Sequence, residues 1–167
     1  MKKLKWLFPF PLILIILFLI YPVRHSAFEL LLDVILKNSV TQVTPEEVDP
    51  SLFLLLDTRE KEEFEISHLP GATWVGFEDF DKNRIPGNPK KKPVLLYCSM
   101  GLRSEKIGDK MLEMGFEEVK NLRGGAFRWI NEGRSLVDNT GEETKDIRPF
   151  NAFWGVWLTA GNKKTKE

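Results

Sequence analysis

The longest uncharged stretch lies near the amino terminus. Lys2, Lys3 and Lys5 precede it, and from Trp6 to Val23 no residue carries a charge. At about 1.5 Å per residue, a helix of that length reaches about 27 Å, close to the thickness of a hydrocarbon core. Pro9 and Pro11 fall in its first turns, where a missing N–H costs least. A core helix of a globular domain is seldom apolar on every side. A cleaved signal peptide would share the basic start, but only "HSA" offers a small-x-small site, and weakly. Residues 1–25 are therefore read as a membrane anchor or signal anchor. The three lysines outweigh Arg24 on the far flank, which keeps the amino terminus in the cytoplasm and exports the rest.

Beyond the anchor the pattern changes. "AFELLLDVILK", Ala27 to Lys37, is apolar on most helical faces and reads as a connecting helix within a 26–39 linker. Ser39 to Val43 reads as a short strand. "TPEEV" reads as a helix start, with Thr44 as the cap, Pro45 at the first helical position and Glu47 three residues after the cap. "LFLLLD", Leu52 to Asp57, and "PVLLYC", Pro93 to Cys98, are continuous apolar runs, as expected of strands buried on both faces of a parallel sheet. Glu60 to Glu65 is a polar helical stretch. From Ser104, apolar Ile107, Met111 and Met114 recur at helical spacing and Gly115 stops the run. "EEVKNL" reads as a third strand and "GGAFRWINEG" as a last helix. Strand and helix alternate over residues 40–138, which predicts an α/β domain with a mainly parallel sheet.

Charge narrows the function classes. Residues 44–138 carry fourteen Lys/Arg against eighteen Asp/Glu, a formal −4, so the domain lacks the basic surface a nucleic-acid binder needs. One cysteine excludes an internal disulfide and a cysteine-rich zinc site. His25 and His68, far apart in sequence, make no histidine-based metal site. No metal and no cofactor is expected.

The single cysteine stands at the carboxyl end of a parallel strand, where open α/β sheets gather their ligand sites. The six residues Cys98, Ser99, Met100, Gly101, Leu102 and Arg103 lead into a helix at Ser104. Such a loop can turn its N–H groups inward as an anion nest, helped by the positive end of the helix dipole. A thiol there would have a lowered pKa and a larger nucleophilic thiolate fraction. The loop alone equally allows a buried structural cysteine.

Three blocks occur in one order: "DTREKEEFEISHLPGA" from Asp57 to Ala72, "YCSMGLRS", and "LRGGAFRWINEG". Together they resemble the signatures of rhodanese-like domains over about 40–138. The resemblance implies a five-stranded, mainly parallel sheet with helices on both faces. It implies that Cys98 is the nucleophile that becomes a persulfide, that the backbone N–H groups of Ser99 to Ser104 cradle the transferred sulfur or donor anion, and that Arg103 closes the loop. Asp57, Arg59 and His68 match signature residues that support the site. The spacing Cys-x4-Arg resembles the single-sulfur cradle of the family, not the Cys-x5-Arg of cell-cycle phosphatases on the same fold. Ser99 stands where thiosulfate-using members often carry a basic residue or glutamine, and the next residue, Met100, is apolar, which weakens the case for thiosulfate as donor.

The implied function is a membrane-tethered sulfurtransferase, with a small sulfur-containing donor and a thiol or cyanide-like acceptor. The alternative is a membrane-anchored binding or sulfur-sensing module without significant turnover. In the extension 139–167, Phe150, Phe153, Trp154, Trp157 and Leu158 fall on one face if helical. That face either packs back on the domain or lies on the bilayer with Lys163, Lys164 and Lys166 in the headgroups.

Overall fold

The computed structural model describes residue 16, residues 21–87, residue 90 and residues 92–164. A five-stranded sheet forms its centre: β1 (Thr41–Val43), β2 (Leu54–Asp57), β3 (Thr73–Trp74), β4 (Val94–Tyr97) and β5 (Val119–Leu122), in the order β1-β5-β4-β2-β3. Every pairing within it is parallel. The apolar runs explain the layering. Leu55, Leu95 and Tyr97 face one apolar cluster, whereas Leu54, Leu56, Val94 and Leu96 face the other. Successive strand residues point to opposite faces, so a strand covered on both sides must be apolar throughout.

Helices cover both faces. On one, α3 (Leu102–Glu113) sets Ile107 and Met111 against Leu56, Val94 and Leu96. Burying each such side chain contributes about 1.5–3 kcal/mol. On the other lie α1 (Tyr21–Ile35) and α4 (Gly125–Asn131). Phe28, Leu32 and Leu36 enter that core, and Glu29 pairs with Arg123 at 3.3 Å and Arg128 at 3.1 Å. This helix is therefore a component of the domain and not merely a connection to it. α2 (Lys61–Ile66) is short and follows β2.

Three local outcomes differ from the sequence pattern. α3 begins at Leu102, two residues before Ser104, which brings Arg103 into its first turn. Thr44 starts no helix: its N–H bonds the Glu47 carboxylate at 2.8 Å, but the chain makes only a turn. Asp49 precedes Pro50 and is steered to extended backbone, φ −98° and ψ 105°, so no second turn can follow. The span Trp6–Val23 lies, but for residues 16 and 21–23, outside the described residues. Among the described residues no helix is long and apolar enough to cross a membrane.

The segment after 138 continues the fold. Its β7 (Glu143–Thr144) pairs back onto β6 (Leu136–Val137), its β8 (Asp146–Ile147) pairs with β9 (Asn162–Lys163), and between the last two lies the short α5 (Ala152–Gly155). Ile147 and Leu158 are buried in the α1/α4 cluster, with Trp154 and Trp157 packed against it. The ring of Trp157 lies 5.7 Å from that of Phe28.

Candidate active site

Cys98 directly follows β4 beside the end of β2, where Asp57 stands opposite Tyr97 in register. The loop that follows is shaped by what holds its carbonyl oxygens. Ala126 N–H donates to the Cys98 carbonyl at 2.9 Å, Phe127 N–H to that of Ser99 at 3.0 Å, and Gly124 N–H to that of Met100 at 3.1 Å. The first turn of α4 thus draws three successive carbonyls to one side. Gly125 makes this approach possible. It has φ +52°, and a Cβ there would stand 2.1 Å from the Cys98 oxygen. On the opposite side of the loop the N–H groups are free to face the thiol: Gly101 N–H lies 3.1 Å from Cys98 Sγ. Gly101 itself caps α3 in the left-handed region, φ +109°.

Asn121 on β5 secures the far end of the loop. Its Nδ2 donates to the Gly101 carbonyl at 3.0 Å and to Gln42 Oε1 at 2.9 Å, while its Oδ1 accepts from Ser104 Oγ at 2.7 Å. Glu105 is buried nearby and accepts from Lys37 N–H at 2.9 Å, Ser39 N–H at 3.2 Å and Gln42 Nε2 at 3.0 Å. It ties the chain entering β1 to the helix that follows the cysteine.

Arg103 turns back over the loop. Nη1 donates to Glu63 Oε2 at 2.8 Å and Nη2 to Glu63 Oε1 at 3.0 Å. Nη2 also reaches Ser99 Oγ at 3.0 Å, and Ser99 Oγ donates to Glu63 Oε1 at 2.8 Å. Glu60 Oε1 stands 3.5 Å from Nη1. Glu63 is 2% exposed; burial pushes its carboxyl up, and the Arg103 guanidinium outweighs this and holds it below the usual range. Burial raises Glu60 above its ordinary value.

The same balance sets the nucleophile. Burial pushes the Cys98 thiol up, but the Arg103 charge and the N–H groups of Ser104 and Met100 overcome it, and the thiol is lowered from its ordinary value. A cysteine at a helix amino terminus beside a guanidinium is an activated one.

Asp57 and Arg59 form a second, fully buried pair. Arg59 Nη2 lies 2.7 Å from Asp57 Oδ2, and Arg59 Nε 3.0 Å from the same oxygen. Nη2 also donates to the Ser67 carbonyl at 2.6 Å, and the guanidinium carbon stands 5.6 Å from the Tyr97 ring centre. The pair fastens the loop after β2 to the end of β4. His68 lies apart from the thiol cradle. Its ring stacks on Phe64 at 3.9 Å and its Nδ1 is 3.1 Å from the Phe64 carbonyl, while its backbone exchanges hydrogen bonds with Val137. The geometry makes it a brace.

Above Cys98 opens a cleft of about 390 Å³. Its walls are Ile35, Phe77, Met100, Leu102, Phe150 and Trp154, with Glu60, Glu78, Ser99 and Arg103 completing the lining. Of the residues expected from sequence, the structure gathers Cys98, Ser99, Met100, Gly101, Leu102, Arg103 and Ser104 around this floor. It places Asp57 and Arg59 behind it and His68 to one side. Glu63, Asn121 and Glu105 were not singled out from the sequence. Each reads there as an ordinary polar residue, and only the tertiary fold buries it.

Comparisons with known proteins agree with this geometry. The family model described as Rhodanese-like domain matches residues 43–132, more than half of the chain. The adenylyltransferase and sulfurtransferase UBA4 of Meyerozyma guilliermondii is 36% identical over 86 residues, which cover 47% of this chain and 20% of that protein. The tRNA uridine(34) hydroxylase of Agrobacterium fabrum is 36% identical over 85 residues, covering 47% of this chain and 27% of that protein. The chain thus spans about a quarter or less of the length of these two curated relatives. Among solved structures, the Helicobacter pylori protein hp1203 superposes with a TM-score of 0.51 and 32% identity, covering 60% of this chain and 93% of that one. A thiosulfate sulfurtransferase from Pseudomonas aeruginosa superposes with a TM-score of 0.53 at 23% identity, over 72% of this chain and 23% of that one, which speaks for the shared fold alone. With its ordered sequence blocks, its parallel sheet and a family model matched across both, this chain belongs to the rhodanese-like family.

Proposed function

We propose that this chain is a sulfurtransferase that moves a sulfane sulfur from a donor, through a persulfide on Cys98, to a thiophilic acceptor. The observation that carries this reading is the Gly101 N–H at 3.1 Å from Cys98 Sγ, in a loop whose carbonyls α4 holds away. In the first step the Cys98 thiolate attacks the outer sulfur of the donor. The donor's S–S bond breaks and its electron pair leaves on the inner atom, as a thiolate from a persulfide or as sulfite from thiosulfate. The new S–S bond uses the cysteine's own lone pair. Negative charge on the outer sulfur of the resulting persulfide is met by the inward N–H groups and the helix dipole. In the second step a thiolate or cyanide attacks that outer sulfur and returns Cys98 as thiolate. Ser99, Met100, Gly101, Leu102, Arg103 and Ser104 form the substrate cradle, and Asp57, Arg59 and His68 support it. Loading with an organic persulfide followed by a cyanide chase should release one thiocyanate per protein, and Cys98→Ser should release none.

Residues 1–25 tether the domain to a membrane in this reading, with the catalytic part extracytoplasmic. The support is the uncharged run Trp6–Val23 behind three lysines. A lone thiol suits an oxidising compartment, since a neighbouring cysteine would trap Cys98 as a disulfide. Alkaline phosphatase fused to the carboxyl end should be active, because the reporter needs export to form its disulfides. An inactive fusion that is expressed and membrane-bound would reverse the orientation.

A further inference from the structure

The cleft above Cys98 differs in chemistry from the cradle beneath it. Arg103 is the one cation among the described lining residues, and its charge is already committed. Both Nη atoms lie on Glu63, Nη1 also faces Glu60, and the guanidinium carbon sits 4.9 Å from the Phe150 ring centre. Lys106 is not in the lining; its ammonium lies 5.8 Å from the Phe77 ring centre. The remaining charged lining groups, Glu60 and Glu78, are carboxylates. An inorganic dianion approaching the thiolate would meet like charges and find no uncommitted cation among the described lining residues. A wall of Ile35, Phe77, Phe150 and Trp154 offers it nothing.

Size points the same way. A volume of about 390 Å³ exceeds what an ion of five heavy atoms fills, and falls in the range of sites that enclose organic ligands. Ile35 belongs to α1, and Phe150 and Trp154 to the segment after 138. All three lie outside the family match of 43–132. Half of the apolar wall is thus built by residues outside the family match.

Resting on the sulfur-transfer reading above, we infer that the donor is the persulfide of an apolar organic thiol, and that Phe150 and Trp154 are specificity-determining residues that hold its organic part. The thiolate of Cys98 takes the outer sulfur, the S–S bond of R–S–SH breaks, and R–S⁻ leaves with the electron pair and is protonated by solvent. The apolar wall favours R over water, while the inward N–H groups receive only the sulfur.

The test compares benzyl persulfide, cysteine persulfide and thiosulfate as donors to the full chain in detergent, with kcat/KM taken from thiocyanate release. Benzyl persulfide is expected to exceed thiosulfate by about 100-fold or more. Phe150→Ala and Trp154→Ala should each lower the ratio of the benzyl persulfide value to the thiosulfate value by roughly tenfold, as loss of a hydrophobic contact does. Phe150 is 52% exposed, so its variant tests the contact without threatening the fold. Glu78→Lys should raise the thiosulfate value several-fold. Thiosulfate used as well as benzyl persulfide would overturn the inference while leaving the sulfur-transfer reading intact. A benzyl persulfide preference untouched by both aromatic variants would overturn the assignment to this wall. A Cys98 that accepts sulfur from no donor would overturn the sulfur-transfer reading and this inference with it.

Discussion

The carboxylate of Glu63 meets the guanidinium of Arg103 fork to fork, Oε2 to Nη1 at 2.8 Å and Oε1 to Nη2 at 3.0 Å, with Ser99 Oγ bonded to both partners. The pair joins α2, which follows β2, to the first turn of α3, which follows β4. It fixes the cysteine loop from the helix that follows the neighbouring strand. Glu63 also closes a capping box with Glu60 at the start of α2, so one carboxylate serves both helices. Its partner Arg103 is the charge that lowers the thiol, and several consequences can be measured.

Glu63→Gln should destabilise the domain at neutral pH. Removing one partner of a buried pair costs about 3–5 kcal/mol. The lower end applies here, because Glu60 remains 3.5 Å from Arg103 and can take up part of its charge. The Glu63 carboxyl is held below its ordinary range in the folded state. Its contribution is therefore complete above the unfolded value of about 4.3 and is lost as pH falls through the folded value. Denaturant midpoints of wild type and Glu63→Gln should accordingly differ at pH 7 and converge toward pH 3. Equal midpoints at pH 7 would show that the pair adds nothing to stability.

Alkylation of Cys98 by iodoacetamide should rise with pH through a midpoint below the free-cysteine value of about 8.5. After burial, which opposes ionisation, Arg103 is the largest influence on this thiol. Two variants separate the charges. Glu63→Gln leaves Arg103 paired with Glu60 alone and should move the midpoint further down. The double variant Glu63→Gln, Arg103→Gln removes both charges and should move it up. A midpoint that ignores both substitutions would mean that the N–H groups alone set the thiol.

Gly125→Ala should disrupt the loop without changing any charge. The new carbon would stand 2.1 Å from the Cys98 carbonyl oxygen, and no flexible side chain is available to yield. The loss should reach at least about 3 kcal/mol, or about 6–12 °C in melting temperature for a chain of this size. The thiol should drift toward its ordinary pKa as the carbonyls slip from α4. Gly133→Ala, whose added carbon meets nothing within 4 Å, provides the comparison and should cost about 1–2 kcal/mol. Matching losses in the two variants would refute the clamp.

The layered sheet was legible because Leu54–Asp57 and Val94–Tyr97 are apolar on both faces, which a strand with one solvated face is not. The cysteine loop was legible because a strand end, a glycine and a helix start converge on one nucleophile. Glu63 was not: it sits in "KEEFEI", where four polar residues read as a solvated face. Its burial comes from Arg103, 40 residues away in the chain, and no local period records that pairing. Asn121 in "VKNL" is similar, since its partners Gly101, Gln42 and Ser104 come from other segments of the chain. The apolar spacing of Phe150, Phe153 and Trp154 marked a face without indicating that two of these residues wall the cleft. Phe153 instead remains 70% exposed. The start at Thr44 looked helical because its capping residues are present, and it failed because Pro50 arrives before a second turn can form.

Intact-mass measurement of the full chain after incubation with a persulfide donor and removal of excess reagent is the most direct test of sulfur transfer through Cys98. An added mass of about 32 Da is expected, corresponding to one sulfur atom. It should disappear on treatment with cyanide or a thiol and be absent in Cys98→Ser. A wild-type chain that gains no sulfur from any donor, or a Cys98→Ser variant that gains it equally, would contradict the account.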